Sequence, residues 1–360
     1  MRRIRIPALA TAILAALMLP VSLTTPASAA APTVDVRPWT LPQGSAPTIP
    51  YLHHPSEDAW SVVDPKTGMK TPVAGIDITD SVTLLGRSGS GFLLRMSNRS
   101  DRIVRVELDK PQRTIVDGLH YQSWSRMSAD NRYLLMTTFV SSGTQLQVRN
   151  AVTGAVVARH TFRNTTEPNP IDVSGTRVLL GGFSPARTMV WNWQTGTIRT
   201  IASRSAYAGA FGIDRLATYT KKPFEPDACT VVSTVSQPGT SLWRSCAEAV
   251  GAFSPDGARI ATDVIGWRDD SSVVRRRSIR GTLLATYRNP NGVRVHGWET
   301  STRVLLESAP QTGIDWLVRC EGAECERAWR AYCSGAEIRT SPNQNMMVEK
   351  RAVSRKPARS

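Results

Sequence analysis

Ala252-Phe-Ser-Pro-Asp-Gly-Ala-Arg-Ile-Ala261 is the stretch whose reading decides the fold. A short apolar run ends in Ser-Pro-Asp-Gly, residues that favour a tight turn, and a second apolar run opens immediately after it, so the segment reads as strand, turn, strand. The same unit recurs along the chain. Met127-Ser-Ala-Asp-Asn-Arg-Tyr-Leu-Leu135, Val173-Ser-Gly-Thr-Arg-Val-Leu-Leu180 and Gly297-Trp-Glu-Thr-Ser-Thr-Arg-Val-Leu-Leu306 are copies, and Gly212-Ile-Asp-Arg-Leu-Ala217 and Gly86-Arg-Ser-Gly-Ser-Gly-Phe-Leu-Leu94 are looser variants. The second apolar residue of each pair falls at 94, 135, 180, 217, 261 and 306, giving intervals of 41, 45, 37, 44 and 45 residues.

Some 16 to 22 residues after each unit a second signature follows. Trp60-Ser-Val-Val-Asp-Pro-Lys-Thr-Gly68, Val148-Arg-Asn-Ala-Val-Thr-Gly154 and Val190-Trp-Asn-Trp-Gln-Thr-Gly196 all end in Thr-Gly, where glycine supplies the positive φ of a hairpin turn. Two strands and then two more in each period of about 42 residues make the four-stranded blade of a β-propeller. The expected fold is therefore all-β, a single propeller over residues 34–348. Leu52 and Met347 lie 42 and 41 residues outside the terminal members of the series, so both chain ends read as partial blades. Sharing one closing blade between the two ends, with Ile338 to Met347 as part of it, removes exposed sheet edges. Seven blades is the expectation and eight the alternative.

Phe253-Ser-Pro-Asp-Gly257 followed by Arg259-Ile-Ala261 resembles the WD40-like repeat of the TolB propeller and of many secreted actinobacterial proteins. The resemblance spans the repeat pattern, with one copy close to the consensus. It implies architecture more than activity, because such propellers include partner-binding scaffolds and the propeller halves of serine peptidases.

The chain has 360 residues, 41% hydrophobic and 20% charged, which is a globular composition. Its only continuously apolar stretch is Ala8 to Leu23, preceded by Arg2, Arg3 and Arg5 and followed by Ala27-Ser-Ala-Ala30. That is the three-part pattern of a secretory signal peptide over residues 1–30; a retained anchor needs about 20 uninterrupted apolar residues, whereas Pro20 breaks this run. The mature protein is expected outside the membrane, secreted or in the cell envelope, without a membrane span.

Export makes the five cysteines readable as an oxidising-compartment set. Cys229 and Cys246 bracket two strand-like runs joined by Gln237-Pro-Gly239, and Cys320 and Cys325 flank a four-residue turn, so Cys229–Cys246 and Cys320–Cys325 are the expected disulfides and Cys333 is left over. Zinc at Cys320, Cys325 and Cys333 fits poorly, because no histidine lies nearby.

No catalytic motif and no cofactor or metal site is read from the chain. A propeller peptidase would carry a Gly-x-Ser-x-Gly elbow, and Gly86-Arg-Ser-Gly-Ser90 fails at its last position. His53 and His54 are adjacent, so on a strand they point to opposite faces. His296 sits on an expected innermost strand and reads as structural. Asp172 and Asp214, at comparable places in consecutive units, read as turn caps. The remaining enzymatic alternative is a hydrolase or lyase acting on polysaccharide through acids at the channel mouth. Trp191 and Trp193 share a strand face, and Trp60, Trp243 and Trp316 recur on expected third strands; that periodicity points to packing between blades rather than sugar stacking.

Formal net charge is +15, and +12 once the three arginines of residues 1–30 are removed. Residues 349–360 carry Lys350, Arg351, Arg355, Lys356 and Arg359 against Glu349, with too little apolar surface to order themselves. The expectation is a monomeric binding or scaffolding module whose partner is an envelope or extracellular protein or an anionic polymer, with no nucleic acid involved.

Overall fold

The computed structural model describes residues 30–330, apart from 57–58, 77–80, 98–100, 120–123, 164–167, 223–224, 266–270 and 310–315. It is a seven-bladed β-propeller. Blade 1 comprises Tyr51–Ser56, Ala59–Asp64 and Met69–Val73. Blade 2 is Ser81–Ser88, Gly91–Ser97, Asp101–Glu107 and Lys110–Leu119; blade 3 is Ser125–Met127, Tyr133–Val140, Gly143–Asn150 and Val156–Arg163. Blade 4 is Asn169–Ser174, Arg177–Phe183, Ala186–Asn192 and Ile198–Ala202, and blade 5 is Ser205–Ala210, Arg215–Tyr219, Thr230–Ser233 and Trp243–Ser245. Blade 6 is Glu248–Phe253, Arg259–Val264, Val273–Ser278 and Leu283–Arg288; blade 7 is Val293–Trp298, Val304–Ser308, Trp316–Glu321 and Glu324–Arg330. Within every blade consecutive strands pair antiparallel. All six positions of the repeat series, 94 to 306, lie on second strands, and seven sheets replace the alternative of eight.

The apolar pair that opens each second strand is explained by strand periodicity. Successive side chains point to opposite faces, and a propeller blade is covered on both. Leu93 therefore enters the cluster between blades 2 and 3 and Leu94 the one between blades 1 and 2. Leu134 and Leu135 divide the same way, as do Leu179 and Leu180, Ile260 and Ala261, and Leu305 and Leu306. Among the described residues six apolar clusters fill the six seams from blade 1 to blade 7, a seventh packs Leu305, Leu317 and Ala328 of blade 7 with Ile49, and burying one such leucine contributes about 1.5–3 kcal/mol.

The turns follow their sequence signatures closely. Ser254 is fully buried, its Oγ donates to Asp256 Oδ1 (2.6 Å) and accepts from Arg259 N (2.9 Å), and Ala258 N closes on Asp256 Oδ1. Ser128 and Asp130 repeat this network in blade 3, with Tyr133 N on Ser128 Oγ at 2.9 Å. In the Thr-Gly turns, Asn150 Oδ1 accepts from Val152 N and Thr153 N while Gly154 takes φ +77°, and Asn192 and Gly196 do the same at φ +74°.

One feature departs from expectation. The segment ahead of blade 1 forms a strap over the outer rim. Thr33–Asp35 pairs in parallel with Leu283–Arg288 as a fifth strand of blade 6, and Gln43 bridges in parallel to Arg327 on the outer strand of blade 7. Val36 is fully buried in the seam between those blades, and Ser308 Oγ donates to its carbonyl at 2.7 Å. Blade 1 shows three strands among the described residues; the C-terminal contribution expected from residues 338–347 lies outside them, as do residues 1–29, Cys333 and residues 349–360. At the seam from blade 7 to blade 1, Trp329 packs its ring 4.7 Å from Tyr51 and 4.9 Å from His53.

Candidate functional site

The innermost strands are where a propeller displays side chains toward its axis, and five of them share an irregularity. In blades 2, 4, 5, 6 and 7 one extra residue is inserted opposite the apolar pair: Leu85, Ile171, Tyr207, Gly251 and His296. A bulge bends its strand and re-aims the inserted side chain. Each of these residues precedes the second apolar residue of its unit by 9 or 10 positions, a spacing that was present in the sequence although the residue types share nothing.

Leu85, Ile171 and Tyr207 send their side chains into the seams between blades. Tyr207 is buried and stacks on Tyr219, with ring centroids 3.9 Å apart and planes 14° apart. Its hydroxyl accepts from Val250 N in blade 6 (2.8 Å) and bonds Thr230 Oγ1 (3.0 Å); burial raises the phenol well above its ordinary value. His296, 1% exposed, holds Glu307 Oε1 of its own blade through Nδ1 at 2.8 Å, so the structural reading of this histidine agrees with its surroundings. Gly251 is required by space, since a Cβ there would lie 2.7 Å from that of Val295.

The acidic side chains that an enzymatic reading would draw on are each tied locally. Asp172 is on the inner strand of blade 4, where its Oδ2 accepts from Phe211 N of blade 5 at 2.7 Å, and burial pushes its carboxyl upward. Asp214 instead sits in a turn at φ +51° and accepts from Ser236 N and Oγ, so the two aspartates do not occupy comparable places; one is a strand residue and the other a turn residue. Glu248 accepts a two-pronged grip from Arg277 Nε (2.8 Å) and Nη2 (2.7 Å), with Thr262 Oγ1 on the same carboxylate. Asp263 accepts from Ser271 Oγ and Val264 N, and its burial raises its pKa. Among the described residues no cluster of three or more His, Cys, Asp or Glu is placed to hold a metal ion.

Arginines link blade to blade. Arg126 donates to Ile171 O from blade 3 to blade 4, Arg215 Nε to Gly257 O from blade 5 to blade 6 (2.8 Å), and Arg259 Nη1 to Ser301 O from blade 6 to blade 7 (3.1 Å). Arg177 lies over the Phe211 ring at 4.8 Å. Ser88, the serine of the failed elbow, is buried and spends its hydroxyl on Ala151 O. Trp60 and Trp191 are buried in blade seams with Trp193 against the latter, whereas Trp243 lies on the outer strand of blade 5 and not on a third strand, because the Cys229–Cys246 hairpin occupies the last two positions of that blade.

The disulfides stand where the strands end. Cys229 and Cys246 flank the paired Thr230 and Ser245, with Cα atoms 3.9 Å apart, and Cys320 faces Cys325 directly across the outer hairpin of blade 7, 4.2 Å apart.

No protein-family model matches the chain, and no curated protein matches it in sequence. Among solved structures it is similar to the uncharacterized protein lmo1340 of Listeria monocytogenes, at 13% identity over 72% of this chain and 86% of that one, with a TM-score of 0.50. A chain of the mitotic checkpoint complex aligns over 93% of this chain and 94% of its own at 10% identity and a TM-score of 0.51. The WD40 domain of Toxoplasma gondii coronin aligns at 9% identity over 82% and 78%, with a TM-score of 0.49. At such identities the likeness is one of fold alone, and the fold is the propeller that the seven sheets build.

Proposed function

We propose that the protein is exported and works outside the membrane as a non-enzymatic binding or scaffolding propeller, in the manner that its WD40-like, TolB-like repeat suggests. In this reading residues 1–30 are a signal peptide, 34–348 the propeller and 349–360 a basic tail that adds salt-sensitive attraction to anionic envelope material. The observation that carries the reading is the use of polar side chains within the ring: Asp172 holds the next blade, Glu248 the neighbouring strands of its own blade and Asp263 the connection at Ser271, which favours a rigid display platform over a reactive centre. Two disulfides agree with an oxidising compartment.

Affinity capture from the envelope fraction of the source organism tests this. Retention of one specific protein or anionic polymer, with its salt-sensitive part weakened and the melting temperature unchanged when the chain is cut after Val348, is the expected result. Release of reducing ends from envelope polysaccharide by the purified protein would sink the binding reading.

A further inference from the structure

Propeller blades end in an outer strand with one open edge, and this chain treats its seven edges unequally. The edge of blade 6 is covered by Thr33–Asp35 and that of blade 7 is bridged by Gln43. The outer strand of blade 1 carries Pro72, and that of blade 2 carries Pro111 and three register shifts. Those of blades 4 and 5 are five and three residues long. Proline, bulges, brevity and covering are the ordinary protections of an edge. Val156–Arg163 in blade 3 has eight residues, no proline and a single register shift, at Val157, so that Ala158–Arg163 is left as a regular uncovered run.

Two further observations fall on the same blade. Of the six large apolar side chains exposed among the described residues, four belong to it: Val140, Val152, Val156 and Val157. Between Asp130 and Glu167 there is no acidic residue, while Arg132, Arg149, Arg159 and Arg163 give four positive charges. Gln147 faces Arg159 and Gln145 faces Thr161 across the pair, so the arginines and the amides share one face. Arg149 is lowered from its ordinary value by burial and by repulsion from Arg159.

The ladder also shows which backbone groups are free to pair. Thr137 N bonds Trp124 O on the inner side, so Thr138 turns to Gln145, Leu146 to His160, and the alternation directs the N–H and C=O of Arg159, Thr161 and Arg163 outward. The chain already uses this mode of pairing on itself at blade 6.

We propose that the outer edge of blade 3, Val156–Arg163, is a strand-addition site for an extended acidic segment of a protein partner, with carboxylates beside Arg159 and Arg163 and an apolar residue against Val156 and Val157. This rests on the binding-module reading and specifies its surface. A second copy of the chain is the poorer occupant, since edge-to-edge pairing would bring the arginines of both copies together.

The test uses the whole protein and an eight-residue peptide alternating glutamate with threonine or valine, beside a control with lysine for glutamate, read by fluorescence anisotropy at low and physiological salt. The acidic peptide should bind at least tenfold more tightly than the control. Thr161→Pro removes an outward N–H and should weaken binding at least tenfold; Arg159→Glu with Arg163→Glu, which leaves the backbone intact, should invert the preference between peptides. Melting temperatures of the variants show whether each is folded. Equal binding of the two peptides, no binding of either, or full binding by the folded double variant overturns the proposal. So does a dimer in sedimentation that Thr161→Pro dissolves. If envelope capture succeeds and is unchanged in the double variant, the edge is refuted while the binding-module reading stands; if nothing specific is captured by either protein, it is that reading that fails.

Discussion

Replacing Arg319 by methionine should cost the protein about 3–5 kcal/mol, because the guanidinium holds a fully buried carboxylate and two pieces of the strap at once. The Glu299 side chain is 0% exposed and that of Arg319 5%. Arg319 Nη2 donates to Glu299 Oε1 (2.9 Å) and Ala46 O (2.9 Å), Nη1 to Ser45 O (3.2 Å) and to Glu326, and Nε to Glu299 again. Glu299 Oε1 in turn accepts from Thr48 N at 2.7 Å. The carboxylates hold the guanidinium above its ordinary pKa, so it is charged at every accessible pH. Methionine fills part of the volume, but Glu299 is left without its compensating cation. With an unfolding entropy near 2.1 cal/mol/K per residue over about 300 residues, the loss corresponds to a fall in Tm of about 5–8 °C. Differential scanning calorimetry of Arg319→Met, Glu299→Gln and the double variant measures it. The double variant should recover at least ~1 kcal/mol of the sum of the single losses. A Tm within about 1 °C of wild type for Arg319→Met, or strict additivity in the cycle, would refute the reasoning.

Three further outcomes are expected. Ser254→Ala should lower stability by about 1–2 kcal/mol in urea titration, since Asp256 loses a donor and Arg259 N an acceptor in a buried turn; Ser128→Ala should behave alike. Replacing both Cys229 and Cys246 by serine should cost about 3 kcal/mol through loop closure in the unfolded chain, against about 2 kcal/mol for the tighter Cys320–Cys325 loop, and peptide mapping without reductant should find the two pairs. Asp263 has a folded pKa raised above 3.8 by burial, so the folded protein keeps a proton that the unfolded chain releases and stability falls as pH climbs between the two values. Asp263→Asn should flatten that fall in a series of melts across acidic pH, and an unchanged slope would assign it to other groups.

The repeat was legible because a blade buried on both faces demands two consecutive apolar residues, and Leu93-Leu94, Leu134-Leu135 and Leu305-Leu306 supply them at a steady period. Cysteine pairing was legible where hairpin logic applied, at Cys320 and Cys325 above all. Other features left weaker traces. Thr33–Asp35 is three residues long, mostly exposed and paired in parallel with a strand remote in sequence, so no local pattern announces it. The bulges at Tyr207, Gly251 and His296 were hidden because a bulge selects a backbone shape and each seam then selects its own filler. Trp243 misled because the long connection before Thr230 shifts the strand count of blade 5. The stretch from 131 to 166, basic and without an acidic residue, was present in the sequence as charge, but its meaning needed the knowledge of which edges are protected.

The strap also sets a timetable. Thr33 meets Thr286 and Val36 meets Ser308, so the first strand synthesised finds its neighbours only after some 250 to 270 further residues have emerged. Closing a loop of that length costs about 5 kcal/mol of chain entropy before any contact rewards it, and folds dominated by such distant pairings mature in milliseconds to seconds. Blades 2 to 5 can assemble as neighbours as they emerge, whereas the rim of blades 6 and 7 can be completed only when blade 7 has emerged and the waiting segment around Thr33–Val36 returns to seal it.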